Sequence, residues 1–329
     1  MNDKIELLVY GSLVDPMIKQ FVDYMNEDDI ARTSVNLHVG SGSAITNELL
    51  SQIEIICGGL PSGWMETMPN LKWVYFLGAG IEAALTPDLV NSNIIITNAS
   101  GVHAVPISEH ILGMMFMFAR KLHLCVRRQG GNEWNRDGFE GLVGELYGST
   151  LGVIGLGDIG EALAQRAKCL GMKVIATRRH PNRTSPFVDE MLPSSELHRL
   201  LNGSDYIAVC APLTPETRGM IGEAQFALMK PNAVIVNIAR GAIIDQNALI
   251  HALQTGRIAG AGLDVATPEP LPPESPLWSM PNVIISPHVS GLNPHYGTRA
   301  AEIFIRNLGF YLKGDFRHMP TLVDRKAGY

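Results

Sequence analysis

The sequence predicts an α/β protein built from two doubly wound parallel sheets. Three observations predict it: short apolar runs alternate with helical stretches, the alternation restarts near residue 150, and 329 residues suffice for about two domains of ~150 residues. A hydrophobic fraction of 46% is ample for two cores.

In the first series the strands are Ile5 to Val9, Ile53 to Cys57, Trp73 to Phe76 and Ile94 to Thr97, each a short apolar run. Pro106 stands where a helix can start, and Ile107 to Cys125 reads as one long helix rich in methionine (Met114, Met115, Met117). That helix is too apolar for a surface position and must pack on several sides. From Thr150 the second series places strands near Leu151 to Ile154, Lys173 to Thr177, Tyr206 to Cys210, Ala233 to Ile238, Ile258 to Asp264 and Val283 to Ser286. Six strands separated by helices make one doubly wound sheet. Arg299 to Leu312 reads as an amphipathic helix ending at Gly314, able to return to the first domain.

A formal charge of -6 with both signs interspersed leaves no basic stripe to neutralise a phosphate backbone, so nucleic acid is not an expected partner. No apolar run reaches about 18 residues, and Met1-Asn2-Asp3-Lys4 leads into a short strand rather than a signal peptide. A cytoplasmic protein without a membrane partner is expected. Cys57, Cys125, Cys169 and Cys210 lack C-x-x-C spacing and lie in apolar stretches, which predicts reduced core residues and no metal site.

The first chemical signal is Gly155-Leu156-Gly157-Asp158-Ile159-Gly160. Alone it fits any tight turn; here the strand Leu151 to Ile154 precedes it, the helical stretch Glu161 to Leu170 follows, and Lys173 begins the next strand. In such a unit Gly155 permits the turn, Gly157 admits a pyrophosphate, Gly160 lets the helix approach the strand, and the helix N-terminus faces the negative charge. A nicotinamide dinucleotide, and with it hydride transfer, is the expected chemistry. An NAD site places an acid near the end of the second strand, but this chain has Thr177-Arg178-Arg179-His180. Guanidinium groups cannot accept bonds from a ribose hydroxyl, whereas they can clamp a 2'-phosphate, so NADP is expected over NAD. Asp189 and Glu190 lie too far along the chain to serve instead.

Three further segments each follow a strand of the second series: Asn237-Ile238-Ala239-Arg240-Gly241, Gly262-Leu263-Asp264-Val265 through Pro268-Glu269-Pro270, and Ser286-Pro287-His288-Val289-Ser290-Gly291. Strand C-termini are where open α/β sheets bind ligands. Taken with Gly78-Ala79-Gly80-Ile81, Glu109-His110 and Pro212-Leu213-Thr214-Pro215-Glu216-Thr217, in this order, the chain resembles the D-isomer specific 2-hydroxyacid dehydrogenases over nearly its whole length.

The resemblance implies a flavodoxin-like substrate domain from residues 1–101 and 292–329, with a Rossmann dinucleotide-binding domain, 102–291, inserted. It implies that Arg240 binds the substrate carboxylate and carbonyl, that Glu269 pairs with His288, and that His288 donates the proton when a 2-keto acid is reduced. Backbone amides of Leu77, Gly78 and Ala79 resemble the loop that grips the carboxylate. Cys210, Ala211, Pro212, Thr217, Ile238, Ala239, Arg240, Asp264, His288 and Gly291 join the glycine turn, Thr177, Arg178 and Arg179 as cofactor contacts. The residue chemistry agrees: a guanidinium is a planar cationic fork for a carboxylate, and a carboxylate held against imidazole favours the protonated ring. Taken singly, a surface cation, a proline-loop acid and a loop histidine are equally plain readings.

Tyr75 and Phe76 are bulky and Glu82 replaces an aspartate relative to the commonest pattern, which predicts a pocket mouth shaped for a different side chain. The expected activity is NADPH-dependent reduction of a small 2-keto acid such as glyoxylate or hydroxypyruvate. Formate or phosphite oxidation and a dinucleotide-sensing, corepressor-like role are the alternatives. The resemblance also implies a homodimer packed about a two-fold axis through the methionine-rich region.

Overall fold

A computed structural model describes residues 4–81, 84–179 and 184–325. The chain forms two compact units, the first from Met1–His103 with Asn293–Tyr329 and the second from Ala104–Leu292.

The first unit holds a parallel sheet of β1 (Ile5–Tyr10), β2 (Val35–Gly40), β3 (Ile55–Cys57), β4 (Trp73–Phe76) and β5 (Ile95–Asn98). Its order, β2-β1-β3-β4-β5, is the flavodoxin-like one. β2, absent from the expected strands, is an edge strand with polar Asn36 and His38, both of which bind Glu6 of β1 at 2.7 and 2.6 Å. Central β4 is buried throughout, and period-2 alternation sends Trp73 and Tyr75 to one core, Val74 and Phe76 to the other. Trp73 stacks on Phe304 and Tyr311 of the helix Tyr296–Tyr311, with ring centroids 4.9 and 5.1 Å apart. The Tyr75 hydroxyl donates to Ala300 O at 2.8 Å. Tyr75 and Phe76 are therefore core residues, and the expectation that they shape a pocket mouth is corrected. Glu82 lies outside the described residues.

The second unit holds a seven-stranded parallel sheet: β6 (Thr150–Ile154), β7 (Lys173–Arg178), β8 (Glu190–Pro193), β9 (Tyr206–Val209), β10 (Val234–Asn237), β11 (Gly260–Leu263) and β12 (Val283–Ile285). The order β12-β11-β10-β9-β6-β7-β8 reverses at β6 and β9, the Rossmann switch point where ligands bind. Six of these strands are the expected ones; the seventh, β8, is a four-residue edge strand carrying an acid and a proline.

The predicted helix Ile107 to Cys125 is two helices, Ala104–Ala119 and Leu122–Gly130. Lys121, at φ +56°, breaks it, and His123 Nδ1 lies 2.9 Å from Met117 O across the break. Met114, Met115 and Phe118 are buried, while Phe116, Leu122 and Val126 stay exposed. A Cβ on Gly260 or Gly262 would meet Phe118 or Met114 at 2.7 Å, so β11 admits the helix only through glycine.

Cys57 is buried and Cys210 half-buried, but Cys125 and Cys169 are exposed, which corrects their reading as core residues. Both sit on helices, where an apolar neighbour in sequence points to a different face. All four are free. Among the described residues no helix is long and apolar enough to cross a membrane.

Candidate active site

At the switch point the glycines sort by what surrounds them. Gly155 has φ +92°, and a Cβ there would meet Ala211 Cα at 2.6 Å. A Cβ on Gly160 would meet Gly155 O at 2.7 Å, so the helix Asp158–Cys169 touches the turn that precedes it. Gly157, by contrast, has no heavy atom within 4 Å of its would-be Cβ. It is the helix N-cap and brings no side chain to the first-turn amides. An exposed backbone notch at a helix N-terminus is a cradle that fits a pyrophosphate. Leu156 is buried, Ile159 half-buried and Asp158 exposed.

Around this notch, Cys210 N donates to Ile154 O at 2.8 Å, which ties β9 to β6 and carries Ala211 against Gly155. Burial pushes the Cys210 thiol up to about 12, so it contributes shape rather than a thiolate. Thr217 Oγ1 donates to Pro212 O at 2.7 Å and accepts from Thr214 N at 2.7 Å, closing the turn after Pro212.

Thr177 is buried at the end of β7, and its Oγ1 accepts from Gly155 N at 3.4 Å. Arg178 is half-buried and Arg179 exposed, with Glu216 in the field of Arg179; His180 lies outside the described residues. The two acids beyond are committed elsewhere. Asp189 takes Lys168 Nζ at 2.8 and 2.9 Å and the Val174 amide at 2.8 Å, at the far end of β7, and Glu190 pairs with Arg199. The parallel register, Ile175 beside Glu190 and Arg178 beside Pro193, keeps both carboxylates away from the Arg178 end.

The other candidates follow β10, β11 and β12. His288 Nδ1 and Glu269 Oε2 are 2.9 Å apart, and both side chains are partly exposed. Glu269 Oε1 accepts the Ala266 amide at 3.0 Å. Burial pushes the Glu269 carboxyl up, but the His288 and Ala266 bonds and the charges of His288 and Arg240 outweigh it and hold it below the usual range. Since that carboxylate only accepts, His288 Nδ1 carries a proton and Nε2 is the nitrogen not engaged by Glu269. Arg240 lies close enough for its charge to be felt at Glu269, while its Nη1 donates to Ala239 O at 2.8 Å. Asn237 fixes that turn: its Nδ2 donates to Arg240 O and its Oδ1 accepts from Ala239 N, beside buried Ile238. A Cβ on Gly241 would meet Ala266 O at 1.9 Å, so the Arg240 and Glu269 loops pack backbone to backbone.

Asp264 is joined to the His288 loop, its carbonyl accepting the His288 amide at 2.9 Å. It is buried, and its carboxylate accepts Ser286 Oγ at 2.6 Å and the Val289 and Ser290 amides at 3.0 Å. Burial raises its pKa, yet these bonds and the Ser290 side chain bring it below the ordinary value. Gly291 follows directly in the same loop. His110 Nε2 lies 2.9 Å from Ser286 Oγ. In the sequence Glu109-His110 is marked only by the resemblance, and no spacing rule signals the link to Ser286.

In the first unit the carbonyls of Leu77, Gly78 and Ala79 are each held, by Tyr296 OH at 2.8 Å, Ala99 N at 3.2 Å and Asn98 Nδ2 at 2.7 Å. Tyr296 and Asn98, which shape this loop, were not foreseen.

A family model described as D-isomer specific 2-hydroxyacid dehydrogenase, NAD binding domain, matches residues 112–290. The chain is 33% identical over 303 residues to a D-3-phosphoglycerate dehydrogenase of Methanocaldococcus jannaschii, covering 89% of this chain but 53% of that protein. It is 36% identical over 271 residues to a glyoxylate reductase of Thermococcus gammatolerans, covering 80% of this chain and 79% of the relative. A crystal structure of a D-isomer specific 2-hydroxyacid dehydrogenase from Xanthobacter autotrophicus Py2, in complex with NADPH and MES, superposes with a TM-score of 0.75 at 29% identity, covering 98% of this chain and 99% of that one. A matching model over half the chain, whole-length structural likeness and a glycine turn that fits a dinucleotide agree: the chain belongs to the D-isomer specific 2-hydroxyacid dehydrogenase family, whose members are nicotinamide-dependent oxidoreductases.

Proposed function

We propose that the protein is an NADP-preferring reductase of a small 2-keto acid, of the glyoxylate or hydroxypyruvate kind. The observation that carries the reading is the His288–Glu269 pair at 2.9 Å with the Arg240 charge beside it. A bound nicotinamide would supply the hydride to C2 of the keto acid. Arg240 binds the substrate carboxylate and polarises the carbonyl oxygen. His288, protonated on both nitrogens, gives its Nε2 proton to the alkoxide as the C–O π bond is lost, and Glu269 stabilises the cation and fixes the ring. In the reverse direction the same nitrogen takes the hydroxyl proton.

Two features support NADP over NAD: the Arg178-Arg179 pair at the end of β7, and the commitment of Asp189 and Glu190 elsewhere. Self-association as a homodimer is supported by exposed Phe116, Leu122, Val126, Trp134, Leu142 and Tyr147, all within one stretch of the second unit. The likeness to a D-3-phosphoglycerate dehydrogenase supports a second reading, oxidation of a phosphorylated 2-hydroxy acid. Absorbance of NADPH and NADH followed with glyoxylate, hydroxypyruvate and, in the oxidative direction, D-3-phosphoglycerate tests these together. Turnover fastest with NADPH and an unphosphorylated keto acid is expected; no turnover with any 2-keto acid would sink the enzyme reading.

A further inference from the structure

His110 belongs to the Glu109-His110 pair that the proposed reaction does not use. On the helix Ala104–Ala119, Glu109 lies 3.9 Å from Arg166, while His110 turns to Ser286. His110 Nε2, Ser286 Oγ and Asp264 Oδ1 form a chain with links of 2.9 and 2.6 Å. Counting protons gives the chain a direction. An ionised carboxylate only accepts, so the single Ser286 hydroxyl proton points to Asp264. The Ser286 oxygen is then left as an acceptor for His110, and His110 Nε2 must carry a proton whether the ring is neutral or charged.

At its other end the chain reaches the proposed proton donor. The Asp264 carboxylate holds the amides of Val289 and Ser290, and the Asp264 carbonyl accepts the His288 amide at 2.9 Å. His288 has φ +55°, a left-handed backbone that is uncommon and costs free energy for a residue with a Cβ. Four bonds to one aspartate, counting Ser286, offset that cost, and His110 is the outermost donor that keeps the carboxylate aimed. Buried charge of this kind holds its orientation only while all its partners are in place.

We infer that His110 is a positioning residue for the reduction, acting through Nε2–H, Ser286 and Asp264 to hold the His288 backbone in its left-handed turn. The inference rests on the reading of His288 as proton donor, and its test separates the two. In protein labelled with 15N-histidine, with the His110 signals identified by their loss in H110F, Nε2 is expected to be protonated at every pH where the chain is folded. Bare Nε2 at any of those pH values overturns the inference, with no reference to activity. In steady-state kinetics H110F, which keeps the ring volume but loses the donor, is expected to lower kcat about tenfold to a hundredfold, with NADPH affinity unchanged in a fluorescence titration. H110Q, which restores an N–H at similar reach, is expected to recover most of kcat. A volume role would give the opposite order; H110F as active as the parent, or H110Q as impaired as H110F, overturns the inference. If the parent reduces no 2-keto acid, the functional reading fails and the tautomer measurement alone decides His110.

Discussion

At His288 the chain accepts a backbone conformation that costs on the order of 1–3 kcal/mol in isolation, and spends neighbouring hydrogen bonds to keep it. His288→Asn is expected to lower the reduction rate by about 10²–10⁴-fold while leaving nucleotide affinity nearly intact, read by stopped-flow reduction against fluorescence titration. Equal loss of both would reassign the residue. Replacing Arg178 and Arg179 together by alanine is expected to raise KM for NADPH far more than for NADH; an unchanged ratio of the two would count against the 2'-phosphate clamp. Asp264 makes one pH-dependent contribution to stability. Its folded pKa lies below the unfolded one, so its contribution is fully present above the ordinary carboxylate range and vanishes as pH falls through the folded value. Asp264→Asn should cost about 1–3 kcal/mol in urea unfolding at neutral pH, and the gap to the parent should close below about pH 4. Arg240, Glu269 and His288 stand out in the sequence only through the ordered motifs that hold them, since a lone arginine, glutamate or histidine reads equally well as a surface or loop residue. What Asp264 holds does not stand out even so, because its partners are mostly backbone amides and every residue offers one.

The glycine turn shows how one motif divides its work between folding and binding. Gly155 and Gly160 face protein backbone, whereas Gly157 faces open space. Gly155→Ala is expected to destabilise the second unit by about 1–3 kcal/mol or more, since neither the positive φ nor the 2.6 Å approach to Ala211 tolerates a Cβ. Gly157→Ala should leave urea unfolding unchanged and abolish nucleotide binding in a calorimetric titration. If both variants lose stability alike, the notch does not face the ligand. Central strands such as β4 and β10 were readable because burial on both faces leaves a continuous apolar run. Edge strands β2 and β8 were not: with one side open they carry Asn36, His38, Glu190 and Pro193, and only the pairing reveals them. The break at Lys121 was equally hidden, since a left-handed lysine leaves no mark in an apolar pattern.

Across the molecule, exposed apolar side chains gather between Phe116 and Tyr147, with Trp134 fully exposed. Light scattering after size exclusion is expected to give twice the 35.8 kDa chain mass, and W134D combined with L142D to give the monomer; a monomeric parent would refute the dimer. The first unit is discontinuous in sequence. Its sheet is complete by Asn98, but the helix that covers Trp73 and Tyr75 begins at Tyr296. Leu322 and Val323 then pair along β5, and Arg325 donates to the carbonyls of Val90, Ser92 and Ile94. On the ribosome, with about 5–20 residues added per second, an uncapped aromatic face must wait on the order of ten seconds or more while Ala104–Leu292 is made. The second unit is continuous and can close during that interval. Folding during synthesis is therefore expected to run from the middle outward, with the face of Trp73 and Tyr75 covered last.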